Sequence, residues 1–124
     1  MGKILQIQTN SVSSIIDMGR CHNTDSMVLR EIAIMTSSDS TSNFASINIG
    51  FLDPNVHIDN NKDRQLLLMP MDTTTGQFID IWRPNIVFED VHIPKQFNLD
   101  IYAEDTTDDL VNFASILITL EIEE

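Results

Sequence analysis

The chain is 124 residues long, 42% hydrophobic and 21% charged, which fits one ordered globular domain over 1–124 able to bury a core without disulfides or metal. Its formal net charge is −12, from 7 basic and 19 acidic residues, and this counts against a phosphate backbone or an anionic membrane surface as partner. The same charge suits a solvated acidic surface, a basic protein or a carboxylate-bound cation.

The N-terminal stretch MGKILQIQTN has one lysine and no long apolar run, so it does not read as a signal peptide. Gln6 stands where N-myristoylation wants serine or threonine. No segment is apolar for long enough to span a bilayer as a helix. Strand signals begin at once, with Ile4–Gln8 and Val12–Met18. Residues 1–25 as a whole are also open to a second reading, as an N-terminal arm reaching a neighbouring molecule. Cys21 is the only cysteine, which excludes an intrachain disulfide and is consistent with a reducing compartment. Its neighbour His22 points the opposite way on an extended chain, so the pair makes neither a nucleophile–base couple nor a zinc site by itself.

Met27–Thr36 reads as a strand, although MVLREIAIM also fits a short helix. FASINIGF places Ala45, Ile47, Ile49 and Phe51 on one face. Gln65–Met69, Gln77–Trp82 and Asn85–Glu89 are less regular strands. QFNLDIYA puts Phe97, Leu99, Ile101 and Ala103 together, and SILITLEIEE does so for Ile116, Ile118, Leu120 and Ile122. Turn formers separate these runs at 10–11, 19–25, 37–42, 53–55, 59–63, 73–76 and 105–109. A helical turn capped by Thr107 or Asp108 is a minor alternative in the last of them. Pro70, Pro84 and Pro94 belong at strand starts, edges or bulges. The expected fold is an all-β antiparallel sandwich, jelly-roll-like, of eight to nine short strands.

The pentapeptide NFASI occurs at 43–47 and again at 112–116. At that shift of 69, Ile32 falls on Ile101, Glu31 on Asp100, and Ser37-Ser38-Asp39 on Thr106-Thr107-Asp108. Each copy reads as one device: an alternating strand, a hydroxyl- and aspartate-rich connection, and a second alternating strand. Both are expected to be long hairpins, with Phe44 and Phe113 at the entry to the core. Duplication and convergence both account for the match, and the poorly aligning flanks favour convergence.

Few residues carry chemistry by pattern. Asp105, Asp108 and Asp109 form an oxygen-rich loop with weak calcium potential, and Asp59–Asp63 resembles the start of a calcium loop only loosely. Asp80, Glu89 and Asp90 have no diagnostic acid–base spacing, and His22, His57 and His92 are dispersed. No nucleophile elbow, zincin, phosphate-loop or dinucleotide motif occurs, so no cofactor is implied. Trp82 beside Arg83 suits either a sugar or peptide platform or a plug at the end of the core. The run LLLMPMD is too apolar for a lone loop and is either core or subunit contact. Leu66, Leu68, Met69, Met71, Trp82 and Tyr102 are the interface candidates.

The C-terminal IPKQFNLDIYAED…NFASILITLEIEE resembles, in pattern and over about the last quarter of the chain, the last hairpin of jelly-roll capsid or decoration proteins of viruses and phages. The resemblance implies a non-enzymatic virion component, made in the host cytoplasm, that associates with itself, a trimer being one form, and with other virion proteins. It brings no catalytic residues. The competing readings are a carbohydrate- or peptide-binding sandwich using Trp82, Tyr102 and the aspartate loops, and a calcium-dependent or hydrolytic enzyme.

Overall fold

The computed structural model describes residues 2–38, 43–52, 67–72, 76, 78–103, 110 and 112–123. They form nine strands: β1 (Lys3–Thr9), β2 (Ser13–Asp17), β3 (His22–Thr36), β4 (Phe44–Ile49), β5 (Leu67–Pro70), β6 (Ile79–Trp82), β7 (Ile86–Ile93), β8 (Gln96–Tyr102) and β9 (Phe113–Glu123). The five-strand sheet runs β1-β9-β3-β6, with β7 also paired to β3, and the four-strand sheet runs β2-β8-β4-β5. Every pairing is antiparallel. The chain passes repeatedly from one sheet to the other, which is the winding of a jelly roll and gives the all-β sandwich the alternation predicts.

β6 and β7 are two halves of one edge position. β6 pairs with Ile32–Met35 and β7 with His22–Leu29 of the same long β3. The break between them falls at Arg83-Pro84-Asn85, where proline has no amide to donate and Asn85 takes φ 51°. Opposite the break, β3 carries a bulge against β9 between Leu29 and Glu31. Arg30 is the extra residue, so Leu29 and Ile32, three apart, both face inward. This spacing is why MVLREIAIM also fits a helix. The strand begins earlier than the sequence indicates, at His22, which is buried while Cys21 is exposed.

The core is the alternation realised. Ile47, Ile49, Leu99, Ile101, Ile116, Ile118, Leu120 and Ile122 are each no more than 1% exposed. Full burial of such side chains contributes about 1.5–3 kcal/mol each. Phe51 and Phe97 close one end edge to face, with centroids 4.8 Å apart.

Two expectations are corrected. Residues 3–17 are not an arm within this chain, because β1 pairs with β9 along seven residues and β2 pairs with β8 along five. The two NFASI segments are not hairpins either. β3 lies in the five-strand sheet and β4 in the other, while β8 and β9 make the return crossing. Alternation fixes which face of a strand is dry but not which sheet holds it.

The repeat nonetheless has a structural counterpart. A shift of 69 carries β3 onto β8 and β4 onto β9, so it exchanges the β3–β9 pair of one sheet with the β8–β4 pair of the other. Ile47 opposes Ile101, whereas their images Ile116 and Ile32 are two positions out of register, since Ile116 opposes Ile34. Both leading asparagines accept a backbone bond at 2.8 Å, Asn43 O from Met71 N–H and Asn112 O from Ser37 N–H. Phe113 packs on the core as expected, but Phe44 is 42% exposed.

Candidate functional site: the outer faces of the sandwich

Residues that a catalytic reading would bring together lie apart. Asp80 opposes Ile34 while Glu89 opposes Ser26, eight positions along β3, or roughly 26 Å at about 3.3 Å per residue. Asp80 is buried and faces inward from β6. Its Oδ1 accepts the Asp72 N–H at 2.7 Å, and Oδ2 has no hydrogen-bond partner among the described residues. It therefore ties the end of the β5 segment in one sheet to β6 in the other. His22 is buried, and His92 on the exposed face donates from Nδ1 to Asn23 Oδ1 at 2.6 Å. Among the described residues, no three His, Cys, Asp or Glu side chains converge as a metal site. Asp105, Asp108, Asp109, Asp59–Asp63 and His57 lie outside the described residues, as does Leu66.

The remaining interface candidates separate by strand parity. Met69 and Met71 are buried in the core, and Trp82 is half-buried against it from the inner side of β6. Trp82 is therefore a core plug and not an open aromatic platform. Leu68, 44% exposed, and Tyr102, half-buried, point out of the four-strand sheet, where both oppose Ser46 from either side. In the next rung Phe44 opposes exposed Pro70. The Met-rich run is thus both core and surface, by turns.

A second apolar area, which sequence reasoning missed, lies on the outer face of the five-strand sheet. Met35, Ile79 and Ile81 are 46%, 45% and 52% exposed. Met35 opposes Ile79 and Ser115; Ala33 opposes Ile81 and Leu117. Met35, Ile79, Ser115, Ala33 and Leu117, together with Gln8, border an open depression of about 300 Å³, and Ile81 lies beside it. The isoleucines of IDIW face out because Asp80 and Trp82 take the inner positions. The signal available in the sequence was the two-residue spacing of Asp80 and Trp82, which places one parity inward without saying which.

Each apolar area ends on a charged rung. Beside Ala33 and Ile81, Arg83 Nε donates to Glu31 Oε1 at 2.8 Å, with the Arg83 side chain 68% exposed. Beside Tyr102 lies Asp100, whose Oδ1 accepts the Ser13 hydroxyl at 2.7 Å. The carboxyl of Asp17, at the end of β2, is held below its ordinary range by the Gly19 N–H and then by the Gln96 amide.

No protein-family model matches the sequence, and no curated protein matches it. Among solved structures, the chain is similar to the Drosophila NLP core, a structure concerned with pentamer formation and histone binding. The identity is 8% and the TM-score 0.49, over 100% of this chain and 98% of that one. It is similar to VP2 of the infectious bursal disease virus subviral particle at 14% identity and TM-score 0.42, over 98% of this chain and a third (33%) of VP2. A third likeness is to a disulfide-linked pilus of Bacillus endospores, with 6% identity and TM-score 0.35 over 99% and 87% of the two chains. All three fall below a TM-score of 0.5, and the functional reading below rests on this chain's own surface.

Proposed function

We propose that this protein is a non-catalytic assembly subunit that works by self-association through its outer faces. The observation that carries the reading is the pair of exposed apolar areas. Met35, Ile79 and Ile81 lie on one sheet, and Phe44 and Leu68 on the other. Isolated exposed apolar side chains are ordinary on a monomer, but side chains grouped rung by rung on a sheet face mark a contact surface. A body of net charge −12 keeps such faces soluble until a matching face arrives.

The finer reading is a virion structural protein, a capsid or decoration component. Its support is the sequence-level resemblance of the C-terminal strands to capsid jelly rolls, and the jelly-roll winding is compatible with it. A carbohydrate- or peptide-binding module draws less support, because Trp82 is turned into the core. Sedimentation velocity over a range of concentrations, with and without EDTA, tests the assembly reading. Concentration-dependent oligomers indifferent to EDTA are expected, and a monomer at every concentration overturns it.

A further inference from the structure

The two apolar areas sit on the outer faces of opposite sheets, so they look away from each other across the sandwich. Each is built as two apolar rungs followed by a charged one. On the five-strand sheet the order is Met35–Ile79, Ala33–Ile81, then Glu31 and Arg83. On the four-strand sheet it is Phe44–Pro70, then Leu68 and Tyr102 about Ser46, then Asp100 opposite Asn48. Residues two apart on a strand lie on one face about 7 Å from each other, so the two faces have the same spacing from apolar rung to charge.

We propose that the Ile79–Ile81 face of one copy docks on the Leu68–Tyr102 face of the next, head to tail. This inference rests on the self-association reading and specifies its geometry. A two-fold contact through either face alone leaves the other wet, whereas a head-to-tail contact covers both. Charge decides in the same direction. A two-fold contact with its axis along the strands brings Arg83 toward Arg83, or Asp100 toward Asp100, and one with its axis across the middle rung sets each of these charges on the partner's apolar end rung. The head-to-tail contact brings Arg83 toward Asp100. Arg83 contacts Glu31 through Nε, and among the described residues its terminal nitrogens meet no other carboxylate, leaving them for a bidentate partner. Asp100 is held in place by Ser13, with lone pairs to spare. Repetition of this contact closes into a ring or continues as a filament, according to the rotation per step.

The test is complementation between two variants of the whole chain, Ile81→Asp on one face and Leu68→Asp on the other. Both positions are about half exposed, and circular dichroism checks that both variants fold. Each variant alone is expected to sediment as a monomer, its self-association weakened on the order of 100-fold. Mixed in equal amounts, they form a 1:1 complex that grows no further, since one intact face remains on each chain. Charge reversal by Arg83→Glu weakens the wild-type assembly, and Asp100→Arg in the partner chain restores it. The head-to-tail geometry is overturned if Leu68→Asp assembles like the wild type while Ile81→Asp does not, or if the mixture stays monomeric. In either case the wild type still assembles and the broader reading stands; a monomeric wild type removes both.

Discussion

Arg30 Nη2 donates to Glu121 Oε2 at 2.7 Å from the one residue that β3 carries in excess of β9, while Nη1 donates to Asn85 Oδ1 at 3.2 Å. The bulge thus aims a guanidinium at both neighbours of β3, the β9 strand and the break between β6 and β7. The side chains of the ion pair are 43% and 33% exposed, so water screens it. Arg30→Ala is expected to cost under about 1 kcal/mol in urea unfolding, and less in high salt. Deleting Arg30 is another matter. Without the extra residue, one half of β3 turns over, and Met27 and Leu29 exchange faces with Ser26 and Val28. The deletion is expected to leave little folded protein, which circular dichroism of the soluble fraction measures.

Gly50 N–H donates to Asn98 O at 2.8 Å, where the end of β4 meets β8. A methyl group on Gly50 would lie 2.8 Å from Asn98 O and 3.1 Å from Asn98 N, both main-chain atoms fixed by the ladder. Neither can swing aside as a side-chain tip can. Gly50→Ala is therefore expected to destabilise the protein by about 1–3 kcal/mol, read as a lower urea midpoint at unchanged slope. Gly19→Ala serves as the contrast. Its added carbon meets nothing within 4 Å, and its cost comes only from the φ of 81°.

The strands whose burial is strictly alternating were legible in full. Ile116, Ile118, Leu120 and Ile122 declare a half-buried strand, and they are buried. The crossings were not legible, because Ser, Thr and Asp after Ile34 and after Ile101 suit a hairpin turn and a sheet-to-sheet connection equally. In sequence, residues 1–25 also suit an arm because edge strands are half wet by nature. Ile4 and Ile15 are 54% and 70% exposed on strands that are fully paired along one side. Of the site, Leu68 and Tyr102 were found by hydrophobicity, while Ile79 and Ile81 were not. Apolar residues beside an aspartate look like core, but Asp80, held inward by the Asp72 N–H, and Trp82, packed on the core, leave them outside.

Asp17 gives a pH dependence with a definite sign. Its carboxylate accepts the Gly19 N–H at 2.7 Å and the Gln96 side chain at 3.3 Å, and its pKa is lowered from the ordinary 3.8, chiefly by the Gly19 bond. A lowered folded-state pKa means that the unfolded chain takes up the proton first as the solution is acidified. The contribution is therefore complete above the ordinary carboxyl range and disappears as pH falls through the lowered value. Asp17→Asn is expected to flatten the stability profile at the acid end of that window and leave its shape near neutrality alone. A carboxyl titration by NMR showing Asp17 at or above an ordinary aspartate would contradict the assignment.

The two copies of NFASI are identical in sequence and unequal in what they support. Phe113 begins β9, opposes Thr36 and packs on the core, so β9 enters a sheet with neighbours on both sides, β1 and β3. Phe44 begins β4, opposes Pro70 of the four-residue β5 and stands 42% exposed on the outer face. Phe113→Ala should therefore cost about 2–3 kcal/mol, somewhat less than a fully buried phenylalanine, through lost burial and an unfilled gap. Phe44→Ala should cost under about 1 kcal/mol in a dilute monomer. In the head-to-tail assembly proposed above, the relation inverts. There, Phe44 is part of a docking face and Phe113 is not, so Phe44→Ala should weaken self-association while Phe113→Ala, at a temperature where it remains folded, leaves it unchanged. Urea unfolding and sedimentation of the same two variants read the two rankings. Equal effects in both measurements would mean that the exposed copy of the pentapeptide has no role in contact.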